Sequence, residues 1–393
     1  MLGIRRKVFW AAGAGFKLAL YKIIFDRMVM EEHMKKSGLF FLGFLFLATG
    51  FLHAQASTKA ATRPAVNTDG TVIQVPVTVN KVAALHGFSY EKIVLLGAED
   101  KIVVCGDYHH NLWPWALKVF PRIKEVPAMP KPWEPNMEQM LKIQPDVIFT
   151  FSDPAPLNKM KELGFAVVYP DEKSALTLEA NCKGMLRVYA EALGGAAVER
   201  AKKYNEYFDR KLAMVTAVTN SIPMDKRPKV YFAIRKPLQT AGKNSYIPEL
   251  VEKAGGLCVT RDLPLTYGKD IGIEQMLALN PEYIFLDHLG ARYLGSAQPA
   301  EILAGMLDDA RLKSVAALQK NQVFFAPIGV FFWDTGEQLP LELMWMAKTL
   351  HPDKFKNLDL RKELAEFYRT FFNYELTPDE IERILRNDLP EGM

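Results

Sequence analysis

Cysteine is nearly absent from this chain. Only Cys105, Cys182 and Cys258 occur among 393 residues, widely spaced and with no Cys-x-x-Cys. This excludes a disulfide-stapled scaffold and a cysteine-built metal site, and favours buried thiols over a single disulfide. The signatures of common catalytic sites are also missing: there is no Gly-x-Ser-x-Gly, no His-Glu-x-x-His and no Gly-x(4)-Gly-Lys-(Ser/Thr). An enzyme is therefore not expected. No apolar run reaches the ~20 residues that a membrane-spanning helix needs. A surplus of one charge is missing too, once the front of the chain is set aside. Residues 1–56 hold 8 of the 49 Lys and Arg but 3 of the 45 Asp and Glu, leaving 41 basic and 42 acidic residues in the remainder. The basic overall balance gives no support to nucleic-acid binding.

What the front contains is a targeting pattern. Lys35 and Lys36 precede the apolar run Leu39–Leu52, and Ala54-Gln55-Ala56 follows. A basic region, a core of signal-peptide length and an Ala-x-Ala site predict export, with cleavage after Ala56. Residues 1–33 have no part in that scheme, which leaves open whether Met1 or Met34 is the start. Residues 57–74 are polar, lack apolar periodicity and read as a flexible lead-in.

The rest is organised around a repeat. Met137–Thr150 recurs at Ile273–Leu286, 136 residues later, with 7 of 14 positions identical, among them Glu138/Glu274, Met140/Met276 and Pro145/Pro281. Each copy predicts a short helix, a turn and a buried strand. The offset is too long for a solenoid, so the repeat predicts two similar lobes. In the first (75–195), strands are expected at Lys101–Cys105, Val147–Phe151 and Ala166–Tyr169, alternating with helices. The longest helical pattern, Ala197–Thr219, carries Tyr204, Phe208, Leu212 and Val215 at helical spacing and is stopped by Pro223 and Pro228. It predicts a stiff connector (196–227) to a second lobe (228–393), whose strands include Val230–Ile234 and Gln322–Ala326. The fold class is α/β: two Rossmann-like lobes with mostly parallel sheets, joined by one long helix, with a cleft between them.

Leader, repeat and connector together with Val94–Val104, Gly242–Gly256 and Trp345–His351 resemble the substrate-binding proteins of ABC importers. The closest group has a single connecting helix and handles iron–siderophores, haem and cobalamin. The resemblance implies a periplasmic monomer with no intrinsic cofactor. Its partners would be an inner-membrane permease and an ATPase, and its preferred cargo an iron(III) chelate, with haem, cobalamin or a nickel or cobalt complex as alternatives. It also implies that Glu138 and Glu274, one on each lobe tip, dock onto arginines of the permease. A metal-handling protein or enzyme without a permease partner is the rival class.

Ligands of open α/β sheets bind beyond the carboxyl ends of the strands. The residues there, with Tyr246 of the Gly242–Gly256 block, form the expected ligand set: Tyr108, His109, His110, Trp113, Trp115, Arg235, Tyr246, His288, Phe331, Phe332 and Trp333. Large rings with a few polar groups suit a sizeable, partly flat chelate, and Arg235 suits a carboxylate. His109, His110 and His288 are the candidate metal ligands. Successive side chains of an extended segment alternate faces, so only one of His109 and His110 is expected to point into a site.

Overall fold

The computed structural model describes residues 61–107, 113–169, 176–287, 299–333 and 336–392. It opens on an antiparallel hairpin, β1 (Thr62–Val66) with β2 (Val72–Pro76). Over the described part, 61–74, this corrects the flexible lead-in predicted there. Ala65 and Val75 are buried, and the Arg63 guanidinium donates to the Ala192 carbonyl at 3.0 Å, so long-range contacts order a segment whose own pattern is weak.

The first lobe is a five-stranded parallel sheet of β3 (Val82–Ala84), β4 (Ile102–Gly106), β5 (Ala128–Met129), β6 (Val147–Phe149) and β7 (Val167–Val168). Its spatial order is β5-β4-β3-β6-β7. The central strands are buried along their length, as expected for a parallel sheet covered on both faces. Helices α1 (Gly87–Leu95), α2 (Pro114–Val119), α3 (Met137–Ile143) and α4 (Pro154–Glu162) connect them. Helix α5 (Met185–Leu193) leads into α6 (Ala196–Thr219), whose 24 residues make a rod of about 36 Å.

The second lobe contains β8 (Lys229–Ala233), β9 (Gln239–Thr240), α7 (Ile247–Lys253), β10 (Leu257–Cys258), β11 (Lys269–Asp270), α8 (Ile273–Leu279), β12 (Tyr283–Leu286), α9 (Pro299–Asp308), α10 (Ala316–Gln319) and β13 (Val323–Phe325). Four of these strands form a parallel sheet in the order β10-β8-β12-β13. Helices α11 (Leu339–Leu350), α12 (Leu360–Phe367) and α13 (Pro378–Arg386) close the chain.

The repeat is a structural duplication. α3 and α8 each bury one methionine, Met140 or Met276. Each ends on a left-handed residue, Gln144 (φ 48°) or Asn280 (φ 40°), which turns the chain through the proline into β6 or β12. The described cysteines are all free and buried.

Candidate functional site

In both sheets the strand order reverses beside one central strand. β3 lies between β4 and β6, and β8 lies between β10 and β12. Connections leave these strands in opposite directions, which opens a crevice at their carboxyl ends. The segments beyond those ends meet across the lobes. Trp113, after β4, packs edge-on against Phe331, after β13, with ring centroids 5.1 Å apart. Lys92 of α1 pairs with Glu337 at 3.1 Å.

At the second-lobe crevice, Arg235 stands just beyond β8 with a left-handed backbone (φ 63°), a conformation that costs a non-glycine residue roughly 1–2 kcal/mol. Asp287, buried at the end of β12, holds it there: Oδ1 accepts the Arg235 backbone N–H at 2.7 Å and Oδ2 accepts the Tyr267 hydroxyl at 3.2 Å. Tyr267 stacks on buried Tyr246 at 6.2 Å. The Arg235 side chain is exposed and forms no ion pair with any described residue. It lies alongside Gly268, where a Cβ would stand 3.6 Å from Nη1.

The first-lobe crevice carries His86, Phe88 and Phe151, all half-buried. The His86 ring packs edge-on against Phe151 at 4.7 Å and tilted against Phe88 at 5.4 Å. Burial, reinforced by the charge of Lys92, pushes its pKa down to about 3, so it is a neutral imidazole at physiological pH. The sequence reading missed this trio. Val82–Ala84 is too short for a run-length signal, and Phe151 was assigned to the strand before it. The available signal is position: His86 directly follows the buried run Val82–Leu85 and precedes a helix.

The described aromatic residues of the expected ligand set lie in the core. Trp113, Trp115, Tyr246, Phe331, Phe332 and Trp333 are each at most 3% exposed and pack in the main hydrophobic cluster. Trp115 spends its indole N–H on the Asp388 carbonyl at 3.1 Å. A residue that follows a strand faces the crevice or folds back under it, and these fold back. Tyr108, His109, His110 and His288 lie outside the described residues. Among the described residues no group of three or more His, Cys, Asp or Glu is placed to hold a metal.

Beneath the crevice, polar bonds tie the lobes together. Lys92, Glu91, Glu337 and Glu342 are all buried. Burial alone would lower the Lys92 pKa, but Glu337 and Glu91 raise it above the ordinary value. The Tyr204 hydroxyl donates to the Glu337 carbonyl at 2.8 Å and the Cys182 thiol to the Gly336 carbonyl at 3.3 Å. Glu138 and Glu274 occupy the first turns of α3 and α8, both exposed. Glu138 pairs with Lys142 at 2.8 Å, a solvent-exposed contact of small energetic consequence.

Comparison with known proteins agrees with this architecture. The chain is 24% identical over 339 residues to the molybdate-binding protein MolA of Haemophilus influenzae, covering 79% of this chain and 91% of the relative. A periplasmic solute-binding protein from Veillonella parvula superposes with a TM-score of 0.68 at 24% identity, covering 84% of this chain and 98% of the other. Helicobacter pylori CeuE in a nickel–histidine complex superposes with a TM-score of 0.66 at 20% identity, over 82% and 98%. Such proteins bind and deliver solutes and are not enzymes. Residues 82–328 match the model of the periplasmic binding proteins, and the chain belongs to that family, the solute-binding components of ABC transporters.

Proposed function

We propose that this chain captures an anionic metal complex in the periplasm, in the first instance an iron(III)–siderophore or related iron chelate. It would then deliver this cargo to an inner-membrane permease driven by its ATPase. Arg235 carries the reading. Its guanidinium is exposed at a topological switch point, is not paired to any described carboxylate, and is held by a strained backbone that buried Asp287 stabilises. Chelates built from carboxylate or catecholate oxygens offer the negative charge that a guanidinium recognises. Burial of the expected aromatic wall disfavours a flat macrocycle such as haem or cobalamin, whose binding gains from ring contact. It favours a second and more compact cargo, a metal oxyanion, the class that the Haemophilus relative binds.

Docking is assigned to Glu138 and Glu274. The two copies of the repeat present the same surface, a glutamate with an exposed leucine three residues on, Leu141 at 45% and Leu277 at 37% exposure. Matched exposed glutamates suit a partner with two equivalent basic sites, where charge steers and orients the encounter. Export by the leader ending at Ala56 belongs to the same proposal.

Two measurements test this reading. Protein purified from its native periplasm should carry either iron with a charge-transfer band or molybdenum or tungsten without one; a Soret or corrin spectrum overturns both cargo readings. Glu138→Arg with Glu274→Arg should abolish import while cargo binding survives, and import that persists removes the docking assignment.

A further inference from the structure

Each sheet places one donor at the same topological position. His86 stands two residues beyond Ala84, the end of β3, and Arg235 two residues beyond Ala233, the end of β8. These are the two strands at which the sheets reverse direction. The geometry assigns to His86 the role of a neutral N–H donor to an anionic oxygen of the cargo, matched by Arg235 from the other lobe, and not that of a metal ligand. This assignment rests on the importer reading above and specifies how its site tells one ligand class from another.

The tautomer follows from one hydrogen bond. The backbone N–H of Phe88, in the first turn of α1, points at His86 Nδ1 at 3.3 Å, and the imidazole is the N-cap of that helix. A backbone N–H can only donate, so Nδ1 carries the lone pair and the proton sits on Nε2. Nε2 lies on the other edge of the ring, directed away from the helix start. It has no hydrogen-bond partner among the described residues. Phe88 and Phe151 fix the ring plane. Metal ligation through Nε2 would require moving the proton to Nδ1, which breaks the cap and sets two N–H groups against each other.

Protonation is no alternative route to anion binding. The half-buried ring packs against apolar neighbours, the nearby charge is the cation Lys92, and the positive end of the α1 dipole adjoins it. The residue choice agrees with this role. Aspartate, a favoured N-cap, is acceptor-only when ionised, whereas an imidazole that caps through Nδ1 keeps an N–H donor on its far edge. At the other crevice, Arg235 likewise has donors and no acceptor. Two donor-only groups, one charged and one neutral, suit oxygen anions and repel a bare cation. The anionic oxygens have two sources, a free oxyanion or the rim of an iron chelate.

The test titrates the exported protein and its His86→Gln and His86→Phe variants with molybdate, iron(III) citrate and Ni²⁺ by calorimetry. Nitrogen-15 NMR of His86 is recorded alongside. One of the two anions should bind the wild-type protein. Its affinity should fall about tenfold or more in His86→Phe, the worth of a hydrogen bond to a charged group, and recover most of that in His86→Gln, which keeps an N–H donor. Binding of molybdate places the source in a free oxyanion, and binding of iron citrate places it in a chelate. The NMR spectrum should show the Nε2-protonated tautomer with and without cargo, a readout that does not require either variant to fold. The assignment is overturned if neither anion binds, if His86→Phe binds as tightly as wild type, if the proton sits on Nδ1, or if Ni²⁺ binding depends on His86. The importer reading fails separately, if cells lacking this chain import the bound anion at the wild-type rate.

Discussion

Glu91 is a carboxyl group with no access to solvent. It lies in α1 against the turn at Gly336, where a Cβ would come within 2.4 Å of its Oε2. Lys92, Glu337 and Gln338 face it, and the Tyr368 ring is near enough for the two to influence each other. Burial raises its pKa well above the ordinary 4.5, the charge of Glu337 raises it further, and Lys92 opposes the rise without cancelling it. The folded protein thus keeps a proton that the unfolded chain releases near pH 4.5. The stability attached to this group is whole below that value and is lost as pH rises through the folded pKa. Glu91→Gln keeps the shape and removes the titration. The variant should gain melting temperature relative to wild type as pH goes from 5 to 8, as followed by thermal denaturation. A difference that stays flat across that range would show that Glu91 is ionised in the fold.

Between elements, the bridge from Lys92 to Glu337 joins a first-lobe helix to a second-lobe turn. Lys92→Met keeps the apolar stem and leaves Glu337 as an uncompensated buried charge, which costs about 3–5 kcal/mol. Denaturant unfolding should report a loss of that size, and a loss below 1 kcal/mol would mean that Glu337 is neutral in the fold. Nothing in the sequence separates this lysine from the many exposed ones, because its partner lies 245 positions away. The legible elements were those with strong local signals. Helix α3 lies at Met137–Ile143, where its pattern placed it, and Thr377 and Glu380 cap the start of α13 reciprocally. The two-residue strands β5, β9, β10 and β11 are below any run-length signal, since neighbours in the sheet make them strands. At the site, position after a strand brought Arg235 into view. It gave no means of knowing that Trp113 and Phe331 turn inward onto each other. His86 stayed hidden because the strand before it is three residues long.

Across the whole molecule, the amplitude of closure is limited by what crosses from lobe to lobe. Helix α6 is continuous and buries residues along its whole length, from Ala197 to Thr219. Arg200 on it donates to the Leu95 carbonyl at 2.8 Å and to the Phe371 carbonyl at 2.7 Å, which links the first lobe to the closing helices. On another side, the Leu178 N–H is accepted by Glu249 of α7 at 2.9 Å. A hinge closure through a wide angle would bend the rod or break several of these bonds, together with the buried Lys92–Glu337 pair. Each break would leave polar groups unsatisfied at about 1–3 kcal/mol apiece, whereas a cargo moves the equilibrium only by its differential affinity for the two states. Small-angle scattering should therefore give the same radius of gyration within error with and without saturating cargo. A marked compaction would mean that these contacts are remade during closure, and the connector would then have to be treated as a hinge.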